Sequence, residues 1–231
     1  MAIDPRQLPL DRDFEDVRVR GEPLTAEQLT PAALRRRFSQ PGAWKPELTS
    51  DARLGSESAE PPKPAAVLLP LVRRDEQLGV LLTHRARHLH DHAGQISFPG
   101  GRIEPSDRGA VEAALREAAE ETGLDVERIE LLGTLPNYLT VTRFDVTPVV
   151  GMIVAPIALR LDASEVEDAF EVPLSFLMDT RNHQRRVVSS RGERRFVYAI
   201  PYHDGLRERM IWGVTAAIVR NFYGFLRAAN D

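Results

Sequence analysis

Three glutamates, Glu117, Glu120 and Glu121, stand close together near the end of one stretch, RGAVEAALREAAEETGL (108–124). The spacing predicts a helix over about 108–122. At about 100° per residue, with Glu117 at zero, Glu120 lies near −60° and Glu121 near +40°, so the three carboxylates share one narrow arc. Val111, Leu115 and Ala118 cluster on another arc and are expected to face the core. Ala110 and Ala113 project from the acidic side, and their small size leaves room for something to approach Glu117. Gly123 is a suitable left-handed stop.

This placement breaks local rules. The C-terminal end of a helix is its negative pole, where carboxylates cost some tenths of a kcal/mol each. Glu117 and Glu121, four apart and alike in charge, add about 0.2–0.5 kcal/mol of repulsion. Broken local rules often mark a site, and a divalent cation would resolve the conflict. Carboxylates without His or Cys suit a hard ion, Mg²⁺ or Mn²⁺. The competing reading is a solvated acidic face, with Glu112 and Arg116 as an ordinary surface pair. Against it stands the preceding text: a tight Pro99-Gly100-Gly101 turn, then a loop bearing Glu104 and Asp107. Gly100 and Gly101 let backbone pass where a side chain would collide, so a carbonyl there could reach the same cation.

The elements that must hold this helix are legible in the apolar runs. AAVLLPLV (65–72) and LGVLLTH (78–84), split by RRDEQ, predict paired strands. Pro70 marks an edge or irregular position in the first. QISF (95–98) predicts a brief strand before the glycine turn. Further strands are expected at 128–135, 144–154 and 195–201, and a helix at 173–179. A last helix over 211–228 carries Ile211, Val214, Ile218, Phe222 and Phe225 at helical spacing. Strands mixed with few helices, without regular βαβ alternation, give an α+β class. Residues 1–64 read as an N-terminal extension. One short helix there is capped by Thr30, opened by Pro31 and faced by Leu34 and Phe38, with Arg35, Arg36 and Arg37 on a solvated face or, as the second reading, on a phosphate- or partner-binding arm. A Pro- and Ser-rich linker or draped loop runs from Pro41 to Pro64. The folded domain is expected at 65–231.

Composition narrows the classes. With 231 residues, 42% hydrophobic and 28% charged, the chain can fold an ordinary core. It has no cysteine, which excludes disulfide scaffolds and thiolate chemistry. A net charge of −4 supplies no basic field for nucleic acid. No run is long enough to span a membrane, and the N-terminus lacks an apolar signal core; a cytoplasmic protein is the expectation. His88, His90 and His92 alternate, but no partner sits at a telling interval, so they read as a polar loop rather than a zinc site.

The stretch 101–124 resembles the Nudix box: Arg116-Glu117, Ala118, Glu120-Glu121, Gly123 and Leu124 match in order, while Asp107 stands for the loop Glu, with eight intervening residues before Arg116 instead of seven. The stretch LLTHRARHLHDHAGQISFPGG (81–101) is similar to the upstream signature of the coenzyme A pyrophosphatase branch. Leu81, Leu82, Thr83, Arg85, Gly94, Phe98, Pro99, Gly100 and Gly101 match; Ala86 replaces Ser and His90 replaces Arg. Likeness extends over roughly 65–228. The resemblance implies a Nudix fold, a mixed β-sheet sandwiched between helices, and Mg²⁺- or Mn²⁺-dependent hydrolysis of a diphosphate in a nucleoside diphosphate derivative. It assigns the metal to Glu117, Glu120, Glu121 and the Gly101 carbonyl, and makes Arg116 an orienting arginine that grips a carboxylate. The base is Glu120 or Glu117, with Glu165 or Glu167 as an alternative from a later loop. Arg85, Arg87 and Arg102 are expected phosphate contacts; Tyr138, or less readily Phe98, would stack on a base. Coenzyme A, ADP-ribose or a related nucleotide is the expected small-molecule substrate, and a homodimer is possible for the family. A non-catalytic Nudix ligand-binding module is the alternative of another class.

Overall fold

The structure, a computed structural model, describes residues 4–15, 20–51, 60–86, 88, 94–190 and 193–228. Eleven strands are named among them: β1 (Lys63–Arg74), β2 (Gln77–Arg85), β3 (Ile96–Ser97), β4 (Gly100–Arg102), β5 (Glu130–Thr134), β6 (Tyr138–Leu139), β7 (Phe144–Val154), β8 (Val166–Pro173), β9 (Gln184–Ser190), β10 (Glu193–His203) and β11 (Glu208–Trp212). The α-helices are α1 (Pro31–Ser39), α2 (Ala110–Thr122), α3 (Leu174–Leu177) and α4 (Val214–Arg227).

β1 is the axis of the larger sheet. It runs parallel to β7 along its length, with Lys63 opposite Phe144 and Arg73 opposite Val154. On its other edge it pairs antiparallel with β4 through Ala65–Val67, then with β2 through Leu71–Arg74. Pro70 falls in the gap between those pairings, so its missing N–H breaks no ladder on that edge. β8 pairs with β2 and β5 with β7, which completes a mixed sheet; β9, β10 and β11 form a second, antiparallel one.

Helices cover both faces of the larger sheet, and for that reason β1 and β7 read as near-continuous apolar runs. Alternation along β1 sorts the layers. Ala65, Leu69 and Leu71 join the main core with Val150, Met152, Ile218 and Phe222. Ala66 and Leu68 turn to the opposite face and meet Ala113, Ala114, Ala118 and Val149. The helix bearing the glutamates therefore packs on one face, and α4 with α1 on the other.

Several expectations need correction. Val111 is exposed rather than in the core; the sheet-facing stripe of α2 is Ala113, Ala114 and Ala118. Alanine on that stripe lets the helix axis sit close to β1 and β4. The helix placed at 173–179 is a single turn. Ile211 lies in β11, and α4 starts at Val214 after Gly213. β8, β9 and β11 went unpredicted, because Glu167, Asp168, Glu171, Arg185 and Arg186 mask their alternation.

The extension packs into the main core. Phe14, Leu29 and Leu34 share one cluster with β1 and α4, and Leu48 exchanges hydrogen bonds with the Asn221 side chain. Thr30 caps α1 through Ala33 N–H at 3.2 Å. Arg37, expected on a solvated face, is buried, and Arg35 pairs with Glu130 at 2.7 Å. No helix among the described residues is long and apolar enough to cross a membrane.

Candidate active site

The site forms where the last turns of α2 lie against the Pro99-Gly100-Gly101 turn. Gly100 has φ +154°, and a Cβ there would come within 2.6 Å of Val67 Cα. At Gly101 a Cβ would lie 2.7 Å from Glu117 Oε2. Two glycines in succession are thus required for β4 to pass between β1 and the Glu117 carboxylate. Gly123 closes the helix at φ 69°, its N–H donating to Ala119 O at 2.8 Å.

Arg116 organises the acids. Its Nε and Nη2 fork onto Asp107 Oδ1 and Oδ2, both at 3.0 Å. Nη1 donates to Glu117 Oε1 at 3.1 Å and to Glu120 Oε2 at 3.0 Å, and Nη2 also reaches the Arg102 carbonyl at 3.1 Å. One planar guanidinium thereby fixes the loop, the turn and two of the glutamates, which a lysine could not do. The fork, with a backbone N–H from Glu104, holds the Asp107 carboxyl below its usual range. The extra residue before Arg116 is absorbed in the loop, and Asp107 still reaches the arginine. Arg116 makes no pair with Glu112; that acid binds Arg108 instead, at 3.1 Å.

Glu121 is 2% exposed. Arg85 Nη1 donates to its Oε1 at 3.3 Å, and Gly100 N–H to its Oε2 at 3.3 Å. Burial nevertheless outweighs both and pushes its carboxyl up to about 7, with Glu165 and Glu117 adding repulsion. Glu117 is raised as well, first by burial, against the pull of Arg116. Glu120 is the open member, its side chain 59% exposed. Glu165 stands close enough to raise both buried glutamates, whereas Glu167 faces His84 at 3.7 Å.

These residues have the chemistry of a hard-cation site: oxygen donors only, two of them desolvated and mutually repelling. Among the described residues no three acidic or imidazole groups converge into a ready-made cage, since the Arg116 guanidinium bridges Glu117 and Glu120.

Beside the carboxylates opens a cavity of about 310 Å³. Arg85, Arg102, Gly100, Gly101, Phe98 and Phe144 line it, with Val214, Thr215 and Ile218 from the start of α4 closing the far wall. Arg85 is thus brought to Glu121, and Arg102 to the cavity, its guanidinium over the Phe144 ring at 5.5 Å. Arg87, His90 and His92 lie outside the described residues; His88 Nε2 meets Ser164 O at 3.0 Å. Tyr138 must be corrected. It is 3% exposed and its phenol is raised by burial and Asp51, so its ring offers no face to a base. Phe98 is likewise a core residue. Sequence reasoning missed the α4 wall, because Thr215 and Ile218 carry only an amphipathic signature. Phe144 was hidden as the first residue of a predicted strand.

The family model for the NUDIX domain matches residues 61–186. The chain is 42% identical over 156 residues to the uncharacterized Nudix hydrolase NudL of Enterobacter sp. (strain 638), covering 68% of this chain and 79% of that protein. The NudL of Escherichia coli (strain K12) is 41% identical over the same length. Among solved structures, a C. elegans Ap4A hydrolase binary complex superposes with a TM-score of 0.42 at 18% identity, over 48% of this chain and 80% of that one. With a domain match over more than half the chain and relatives above 40% identity, the protein belongs to the Nudix hydrolases, enzymes that cleave pyrophosphate bonds.

Proposed function

We propose that the protein hydrolyses the diphosphate of coenzyme A or its derivatives, releasing 4′-phosphopantetheine and adenosine 3′,5′-bisphosphate. The observation that carries this reading is the junction of two segments. The stretch that resembles the coenzyme A branch delivers Arg85 onto Glu121 and the Gly100-Gly101 backbone onto Glu117, at the mouth of the cavity.

Glu117, Glu120 and Glu121, with the Gly101 carbonyl, would hold Mg²⁺ or Mn²⁺. Such an ion supplies charge neutralisation of the diphosphate and a water of lowered pKa. The chain's own residues do the rest. Arg116 keeps Glu117 and Glu120 aimed by anchoring on Asp107. Arg85 and Arg102 offer guanidinium donors to phosphate oxygens. Glu120 or Glu117 accepts the proton of the attacking water, with Glu165 as the second candidate. The α4 wall shields one side of the reacting group from bulk water.

A Mg²⁺-dependent assay with coenzyme A, ADP-ribose and NADH side by side tests this. Preferred turnover of coenzyme A is expected. Preference for ADP-ribose overturns the substrate, and turnover that ignores Mg²⁺ and Mn²⁺ overturns the metal assignment.

A further inference from the structure

At the opposite end of α4 lies a second and larger cavity, about 520 Å³, between α1 and the last turn of α4. Thr215, on the first cavity, and Leu226, on this one, are about 16 Å apart along the helix axis at 1.5 Å per residue. Its wall carries Arg37, which is 4% exposed. The Arg37 guanidinium donates through Nε to Phe225 O at 2.6 Å and through Nη1 to the carbonyl of Pro41. It stacks over the Phe225 ring at 4.2 Å. Nη2 is buried with no hydrogen-bond partner.

A buried cation is expensive unless an anion meets it. Every partner of Arg37 here is a carbonyl or a ring, and among the described residues it forms no ion pair with an acid. The neighbouring donors are Arg36, Gln28 and Gln40 on the same wall. Glu27, the one acid among the lining residues, is exposed, and a hydrogen bond from Thr25 already satisfies it. Leu226 gives the wall an apolar patch. The volume falls within the range of small-molecule sites.

We infer that this cavity binds the phosphoryl group of a small phosphorylated molecule, with the Arg36 guanidinium on its oxygens and the buried Arg37 charge behind them. A phosphoryl group suits the wall better than a carboxylate, because the Arg36 guanidinium and two amides can serve three oxygens at once beside a buried positive charge. The site is independent of the substrate assignment. It stands at the far end of α4 and uses none of the residues around Glu117.

Isothermal titration of the full chain with inorganic phosphate and with AMP, in EDTA and at fixed ionic strength, tests the inference. Wild type is expected to bind both. Arg37→Met removes the buried charge while keeping the stem, and should weaken phosphate binding about tenfold or more. Arg36→Glu, on the exposed side of α1, should do the same without touching the core, so the test survives if Arg37→Met fails to fold. A crystal soaked in tungstate should show anomalous density beside Arg37. No binding by wild type overturns the site. So does unchanged affinity in Arg36→Glu, or density confined to Arg85 and Arg102.

Discussion

α2 and α4 pack on opposite faces of one sheet and obey opposite rules. α4 buries Ile218, Val219, Phe222, Phe225 and Leu226, ends with Arg227 at its negative pole, and lends its Phe225 carbonyl to Arg37. Each of those choices stabilises. α2 packs on the sheet chiefly through alanines, with Leu115 at the margin, and crowds acids into its last turns. Two of those acids are desolvated enough to be raised above their ordinary range. One helix therefore supplies cohesion, and the other holds charge in a place where charge is unfavourable. The close approach that alanine permits is what brings Glu117 against Gly101.

If that division is right, the two helices should fail differently. Glu117→Gln on α2 should lower kcat on the order of 10³-fold or more, by loss of a charged ligand and orienting contact. Its melting temperature should match or exceed that of wild type, because repulsion is relieved. Wild-type rates in this variant would remove the metal hypothesis. Phe222→Ala on α4 should reverse the pattern. It should cost about 3–5 kcal/mol of stability by cavity formation, read from denaturant midpoints, while kcat per folded molecule stays near wild type. An activity loss larger than the folded fraction explains would show that Phe222 acts through the cavity wall formed by Val214, Thr215 and Ile218 and not by support alone.

What could be read from the sequence follows the same line. The acidic arc, the Gly123 stop and the Pro-Gly-Gly turn are local facts, set by spacing and by glycine, and they stand where expected. The depth of burial is not local. Nothing in REAAEE distinguishes Glu121, walled in by β4 and Arg85, from Glu120 in solvent. The helical wheel chose Val111 for the core because it is larger than alanine, yet the sheet selects the small residues that let the helix approach. Tyr138 was expected to stack on a base, but two residues of β6 pairing with β7 carry it inward. The charged strands β8, β9 and β11 were hidden because charged residues interrupt their apolar alternation, and some of those charges pair between the two sheets, as Arg209 of β11 does with Asp168 of β8 at 2.7 Å.

Asp107 offers a smaller test of the same contrast. Asp107→Asn keeps the shape but leaves the Arg116 fork half made. Arg116 would then lean further onto Glu117 and Glu120. Loss of an outer partner of this kind lowers metal affinity about 10–100-fold in known sites. We expect that range by Mn²⁺ titration, with kcat recovered at saturating Mn²⁺. A kcat that stays low at saturation would place Asp107 in the chemical step rather than in positioning.

The smallest expected effect is a cancellation, and it separates the two faces most finely. His183, buried against Leu177 O and Tyr223 on the α4 side, is held neutral by burial with its pKa down at about 4. A depressed imidazole makes the unfolded chain the better proton acceptor, so stability present above pH 6.5 is lost as pH falls toward 4, by about 3 kcal/mol. Glu121 on the α2 side is raised to about 7. The folded form there holds its proton more tightly, so metal-free stability rises as pH falls from 7 toward 4.5, by about 2–3 kcal/mol. In EDTA the two oppose each other, with Glu117 on the side of Glu121, so the wild-type urea midpoint should change less between pH 6.5 and 4.5 than His183 alone would make it. Glu121→Gln removes one arm. It should raise the midpoint at pH 7.5 and steepen the decline on acidification, whereas a variant profile parallel to that of wild type would mean that Glu121 is already ionised and solvated in the metal-free protein.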